Sequence, residues 1–137
     1  MPRPISLVQI DDLLSAPGFT PKVIDALRPY TLVLPTSTPA NVNTAPPELL
    51  SALIPDLSLP QATAITNSRR LSPFMNVADF TERLRNSAGT LDSSRLSVMT
   101  HYFLIRGVVG IRGAKLEIQA LIERQPTATR LLWIKTI

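Results

Sequence analysis

The sequence predicts an α+β chain, with helical units first and a three-stranded antiparallel β-meander after them. Three observations carry this. Through residue 84 the apolar residues recur at helical spacing, between turns marked by proline, of which the chain has 13. Beyond residue 95 the period changes from helical to alternating. The 137 residues are 45% hydrophobic, with a mean hydropathy of +0.16, which suits a folded core and not a disordered chain. The expected units are a first helical unit over 1–40, a second over 41–92 and the meander over 93–137.

In the first unit Ser6 is placed to cap a short helix over 7–15, with Leu7, Ile10, Leu13 and Leu14 at helical spacing. Ala16-Pro17-Gly18-Phe19 is a turn. Thr20 then serves as N-cap with Pro21 at the first helical position, where its missing N–H costs nothing. That helix carries Val23, Ile24 and Leu27 inward and stops at Arg28-Pro29-Tyr30. Residues 31–34 are β-prone but short, and 35–39 form an extended, proline-bounded linker.

Asn41, Asn43 and Thr44 mark the entry to the second unit. A helix is expected to start near Pro47, because the residue before a proline resists the α conformation, with Leu49, Leu50 and Leu53 as its apolar side. Pro55, Asp56, Leu57 and Ser58 form a hairpin turn, and Ser58 caps a helix over 59–68 with Ala62, Ile65 and Ala64 as contact positions. Asn76 caps a third helix carrying Val77, Phe80 and Leu84. Leu13-Leu14-Ser15-Ala16 with Pro17, Pro21 and Ile24 parallels Leu49-Leu50-Ser51-Ala52 with Pro55, Pro60 and Ala64. This weak repeat predicts two helix-turn-helix units packed together, as in sterile-alpha-motif-like (SAM-like) folds; two units are too few for a solenoid.

After a polar loop over 86–94, Met99, His101, Phe103, Ile105, Val109 and Ile111 share one face of a long strand, with Gly107 and Gly110 as bends or bulges. Gly113 marks a turn. Leu116, Ile118, Ala120 and Ile122 then alternate against Lys115, Glu117, Gln119 and Glu123. Gln125-Pro126-Thr127-Ala128 turns into a last strand, where Leu131 and Trp133 oppose Leu132 and Ile134. The apolar face of this meander needs a cover, either these helices or a segment upstream.

Composition and motifs exclude much chemistry. No apolar run reaches the length of about 18 residues that a membrane span needs, and the start, Met1-Pro2-Arg3-Pro4, shows no secretory signal. The chain is therefore read as cytoplasmic, or as a piece whose targeting segment lies upstream. Zero cysteines exclude disulfides and thiolate metal sites. His101 is the only histidine, and no nucleophile elbow or phosphate loop is present, so no enzyme is expected. Asp11 and Asp12 read as a solvated helix face, and no dense acidic cluster offers the six or more oxygens calcium takes.

The stretch 41–84 resembles helix-hairpin-helix DNA-binding modules, including those of competence type. Such hairpins read apolar-Gly-apolar-Gly and present backbone N–H groups to phosphate. Here Asp56 and Ser58 stand in place of the two glycines, and a carboxylate repels phosphate. The formal charge of +4 lies elsewhere: residues 1–94 carry seven basic against eight acidic groups, and 95–137 seven against two. Arg69 and Arg70 either touch a nucleic-acid backbone or act as cations at a helix C-terminus.

Asn41-Val42-Asn43-Thr44-Ala45-Pro46-Pro47-Glu48-Leu49-Leu50, the turn at 55–58, Arg69 before Pro73-Phe74, and Val77-Ala78-Asp79-Phe80 together resemble the protein K family of the general secretion pathway, the large minor pseudopilins of type II secretion systems. The resemblance extends upstream through 13–18 and 27–30, and downstream through Ser97, 101–106 and 131–133. It implies a structural protein with a pilin-like sheet packed on an N-terminal membrane-anchoring helix, and a SAM-like helical domain inserted in the sheet region. It implies partners in the other minor pseudopilins, GspI and GspJ, with contact to the secretin or exported substrates, and no nucleic acid. It further implies a periplasmic domain of a bacterial inner-membrane-anchored protein, of which this chain is a carboxy-terminal fragment. Calcium is a cofactor of some family members, but no residue set here matches such a site.

Overall fold

The structure is a computed structural model and describes residues 7–84 and 91–137. The expected cap Ser6 and residues 86–90 of the expected polar loop lie outside the described residues.

The first unit opens with a short 3-10 helix, Ile10–Ser15, which starts later than the helix expected over 7–15. The Asp12 carboxylate accepts from the backbone N–H groups of Val8 (2.7 Å) and Gln9 (3.0 Å), tying down the donors that begin the segment. Helix α1, Pro21–Leu27, starts as expected: the Thr20 hydroxyl accepts from Val23 N–H at 3.3 Å, with Pro21 in the first turn. Only Ile24 of this helix is buried; Val23 points outward, contrary to expectation. Arg28 forms a two-pronged ion pair with Asp11, one contact at 3.0 Å, and so clamps α1 to the 3-10 helix. Asp11 is thus a structural partner within an otherwise solvated acidic pair. Residues 31–34 form no strand.

The second unit holds the core. A two-residue strand β1, Ala40–Asn41, leads to helix α2, Pro47–Leu53, then α3, Leu59–Ser68, and α4, Val77–Arg83. A short 3-10 turn, Ser93–Arg95, precedes the strand β2, Leu96–Ser97. One buried cluster joins them: Val42, Ala45, Leu50, Ile54, Leu57, Ala62, Phe74, Phe80, Leu84 and Leu96, flanked by Leu49, Leu53, Ile65 and Val77. Leu50 and Ala62 are fully buried, so the leucine and alanine positions act as expected, whereas Ala64 is exposed and Thr66 is buried in its stead. Among the described residues all of the cluster comes from 42–96, and none of the first unit joins it. That corrects the expectation that the repeat packs its halves together.

The sheet has the order β3-β4-β5 and is antiparallel throughout, as the alternation predicts: β3 is Tyr102–Ile111, β4 Ala114–Arg124 and β5 Thr129–Thr136. Met99 and His101 precede β3 rather than belonging to it. The β3–β4 hairpin turns on Arg112 (φ 47°) and Gly113 (φ 88°), two consecutive left-handed residues that match the strand twist. Neither Gly107 nor Gly110 makes a bulge: the register runs unbroken from Tyr102↔Glu123 to Ile111↔Ala114. The one register shift lies on the other side of β4, between Leu121 and Ile122, where β5 passes Leu132 unpaired.

The register places Phe103, Ile105, Val109, Ile111, Leu116, Ile118, Ala120, Ile122, Leu131 and Ile134 on one face. Many of these remain exposed. The opposite face carries Arg106, Lys115, Glu117, Gln119 and Lys135, but also Leu121, which is 1% exposed between Leu104 and Trp133. One link from the first unit reaches this second face: the Thr36 hydroxyl meets the Tyr102 hydroxyl at 3.1 Å.

Candidate functional site

The residues singled out in the sequence fall on two structural features of the second unit, its entry clasp and its hairpin turn. At the clasp β1 and β2 pair in parallel, Ala40 with Leu96 and Asn41 with Ser97, and Val42 N–H donates to the Ser97 carbonyl at 2.8 Å. Chain entry and chain exit therefore lie side by side, and everything between them is one lobe. The Asn41 amide donates to the Thr100 hydroxyl at 2.7 Å, while its oxygen accepts from Asn43 N–H at 2.9 Å. Asn43 in turn holds the backbone of Phe74 from both sides, accepting from its N–H at 2.8 Å and donating to its carbonyl at 2.9 Å. Thr44 closes the turn with a hydroxyl contact of 3.4 Å to the Asn41 carbonyl. Small amides are the residues that can satisfy backbone donors and acceptors over such short reach.

Arg69 completes the clasp. Its guanidinium donates to the carbonyls of Val42 and Ala45, both at 2.7 Å, and so joins the end of α3 to the entry turn. Burial lowers its pKa from the usual arginine value, with the neighbouring Arg70 adding to the effect. Neither sequence reading of Arg69, phosphate contact or dipole-favoured cation, anticipated this. Its partners lie 24 and 27 residues away, and local sequence carries no signal for them.

At the hairpin turn Asp56 adopts φ 59°, the left-handed conformation usually left to glycine and tolerated by aspartate. Leu57 drops into the core, and its carbonyl accepts from the Ser51 hydroxyl at 2.8 Å. Ser58 begins α3 as expected, though by a different device: Gln61 Oε1 accepts from both its N–H (2.9 Å) and its hydroxyl (2.7 Å). Behind the turn Phe74 and Phe80 meet edge to face at 4.9 Å, and Arg83 lies over the Phe74 ring at 5.0 Å while pairing with Asp79. Asp79 is held below the usual carboxylate range, first by the Met75 N–H and then by Arg83.

These groups are spent on one another. Among the described residues every buried side-chain nitrogen and oxygen has a partner, and no three His, Cys, Asp or Glu side chains converge as metal ligands. A shallow cleft where the linker meets the sheet, lined by Thr36, His101, Tyr102, Glu123 and Arg124 among others, brings the lone histidine to the surface. Its carboxylate, Glu123, is already engaged by Tyr102, Gln125 and Arg130. No described helix is long and apolar enough to cross a membrane.

Fold and clasp together define a class: a β-meander domain bearing a closed helical lobe whose polar residues lock backbone turns. Residues 40–99 match the family model described as Type II secretion system (T2SS), protein K, a span that begins and ends at the β1–β2 clasp. The whole chain is similar in fold to a chain of the GspK-GspI-GspJ complex from the type 2 secretion system of enterotoxigenic Escherichia coli. That match has a TM-score of 0.72 and 20% identity, covering 96% of this chain and 48% of that one. No curated protein matches the chain by sequence. The chain spans about half the length of that solved relative.

Proposed function

We propose that this chain acts as the helical lobe and adjoining sheet of a type II secretion minor pseudopilin, a structural part of the pseudopilus tip complex that supports protein export across the outer membrane. The observation that carries this reading is the coincidence of the family-matched span with a lobe closed at its own clasp. A family pattern that coincides with a closed structural unit reflects a whole module, not a chance stretch of similar residues. The lobe's polar groups serve its own backbone, which supports an assembly role rather than catalysis. The partners proposed are GspI and GspJ, which the solved relative's complex contains. The family setting supports a periplasmic location, in a protein anchored to the inner membrane by a segment outside this chain. As a division of the chain we propose lobe residues 40–99 between the first helical unit and the meander.

The DNA-binding alternative loses its two supports in this geometry. The hairpin presents a carboxylate, Asp56, where backbone N–H groups would meet phosphate, and Arg69 is turned inward to carbonyls. The test is a pull-down of the chain with soluble domains of GspI and GspJ. Capture at micromolar concentration supports the reading. No capture, together with salt-sensitive binding to duplex DNA, overturns it.

A further inference from the structure

We propose that the charged face of the meander, at the end that holds the β3–β4 turn, docks an acidic partner protein through Arg106, Arg112, Lys115 and Lys135 set around a single carboxylate, Glu117. All five residues are exposed. The register pairs none of the cations with an acid: Arg106 and Lys135 each stand opposite Gln119, Lys115 opposite Gly110, and Glu117 opposite Val108. Among the described residues none of the four cations forms an ion pair. Asp11, the other acid that Lys135 influences, is committed to Arg28. The far end of the same face is built differently. There Glu123 lies directly across from Arg130, and the two meet at 2.9 Å. Opposite charges across a ladder stabilise a sheet, and the turn end forgoes that gain.

The chemistry of the patch selects its partner. Four unpaired cations on one surface attract acidic groups. Nucleic acid and anionic lipid offer only phosphate-type charge, and Glu117 repels it from the middle of the patch, diagonal to Arg106 and Lys135 and two residues from Lys115. A protein surface with several carboxylates and one basic group meets both signs. Trp133 borders the patch, half-buried, with the Lys135 ammonium 5.2 Å from its ring centre, and gives such a partner an aromatic anchor beside the charges. The patch lies within three strands and points away from the apolar face, so a cover on that apolar face leaves it open. This contact does not rest on the partnership with GspI and GspJ, and either can fail without the other.

The experiment follows the amide NMR shifts of the isotope-labelled chain against four probes: an acidic peptide with one central lysine, an all-glutamate peptide of the same length, duplex DNA, and phosphatidylserine vesicles. The expected result is saturable shifts at Arg106, Lys115, Gln119 and Lys135 with the lysine-bearing peptide, weakening as salt rises, and lower affinity for the other three probes. Reversing two exposed charges together, Arg106→Glu with Lys135→Glu, weakens binding of that peptide by about tenfold or more, with the circular dichroism unchanged. Glu117→Gln removes the preference for the lysine-bearing peptide over the all-glutamate one. Equal or tighter binding of the all-glutamate peptide, DNA or vesicles to the parent chain overturns the proposal. So do shifts confined to other surfaces, or none at low salt, a readout that needs no variant.

Discussion

Arg69→Met removes the guanidinium that joins the end of α3 to the entry turn, while keeping most of the apolar stem. Two charge-assisted hydrogen bonds at 2.7 Å are lost, and the carbonyls of two buried residues, Val42 and Ala45, lose a donor. A hydrogen bond to a charged group contributes about 1.5–3 kcal/mol net. Against this stands the cost of holding the cation in a partly buried place, the same cost that lowers its pKa. The expected net loss is about 2–3 kcal/mol. Arg69→Lys recovers less than half of it, because one arginine nitrogen, Nη1, donates to both carbonyls and the shorter lysine stem does not carry its ammonium to that point. Urea unfolding followed by circular dichroism measures both variants, with the midpoint moving and the slope unchanged. A midpoint for Arg69→Met within about 0.5 kcal/mol of the parent would refute the structural role assigned to this arginine.

Phe80→Ala empties the centre of the lobe core, where Phe80 is fully buried against Phe74, and is expected to cost about 3–5 kcal/mol in thermal or chemical unfolding. Asp56→Gly suits the left-handed turn at least as well as aspartate, so stability should stay within about 1 kcal/mol of the parent. The same variant should gain no affinity for duplex DNA in fluorescence anisotropy, because one restored glycine leaves Arg69 turned inward. Acid should destabilise the chain. Asp79 is depressed by the Met75 N–H and Arg83, Asp12 by the Gln9 and Val8 N–H groups, and Asp92 by Ser94. A folded pKa below the unfolded one gives stability that is present above about pH 4 and lost as pH falls through the folded pKa. Acid unfolding monitored by circular dichroism should show this loss, and Asp79→Asn should show less of it.

Local signals were legible in the sequence and distant ones were not. Helix α3 runs from 59 to 68 as read, because a serine cap and an early proline set its start within four residues. Thr20 with Pro21 marks α1 in the same way, and the Asn76 cap alone marks α4. The entry residues Asn41, Asn43 and Thr44 were recognisable as a group, but the partner of Asn43 is a backbone 31 residues away, which no spacing rule reaches. Gly107 and Gly110 misled because a glycine in a strand often marks a bulge. Here the cross-strand Ile118 side chain packs 3.4 Å from where a Gly107 Cβ would stand, and the ladder stays regular. Leu121 was hidden on a face that otherwise reads as charged, where Leu104 and Trp133 flank it across the two ladders. The first helix tightened to 3-10 geometry, since Asp12 ties the preceding backbone N–H groups and shortens the segment.

The clasped helical lobe and its sheet are proposed to serve protein assembly and not nucleic acid. Titration calorimetry of this chain into an equimolar mixture of soluble GspI and GspJ domains, run beside a titration into duplex DNA, tests it most directly. The account predicts a saturable heat with the protein mixture that survives a rise in salt, and none with DNA. A flat protein titration beside DNA binding that fades steeply with salt would contradict it.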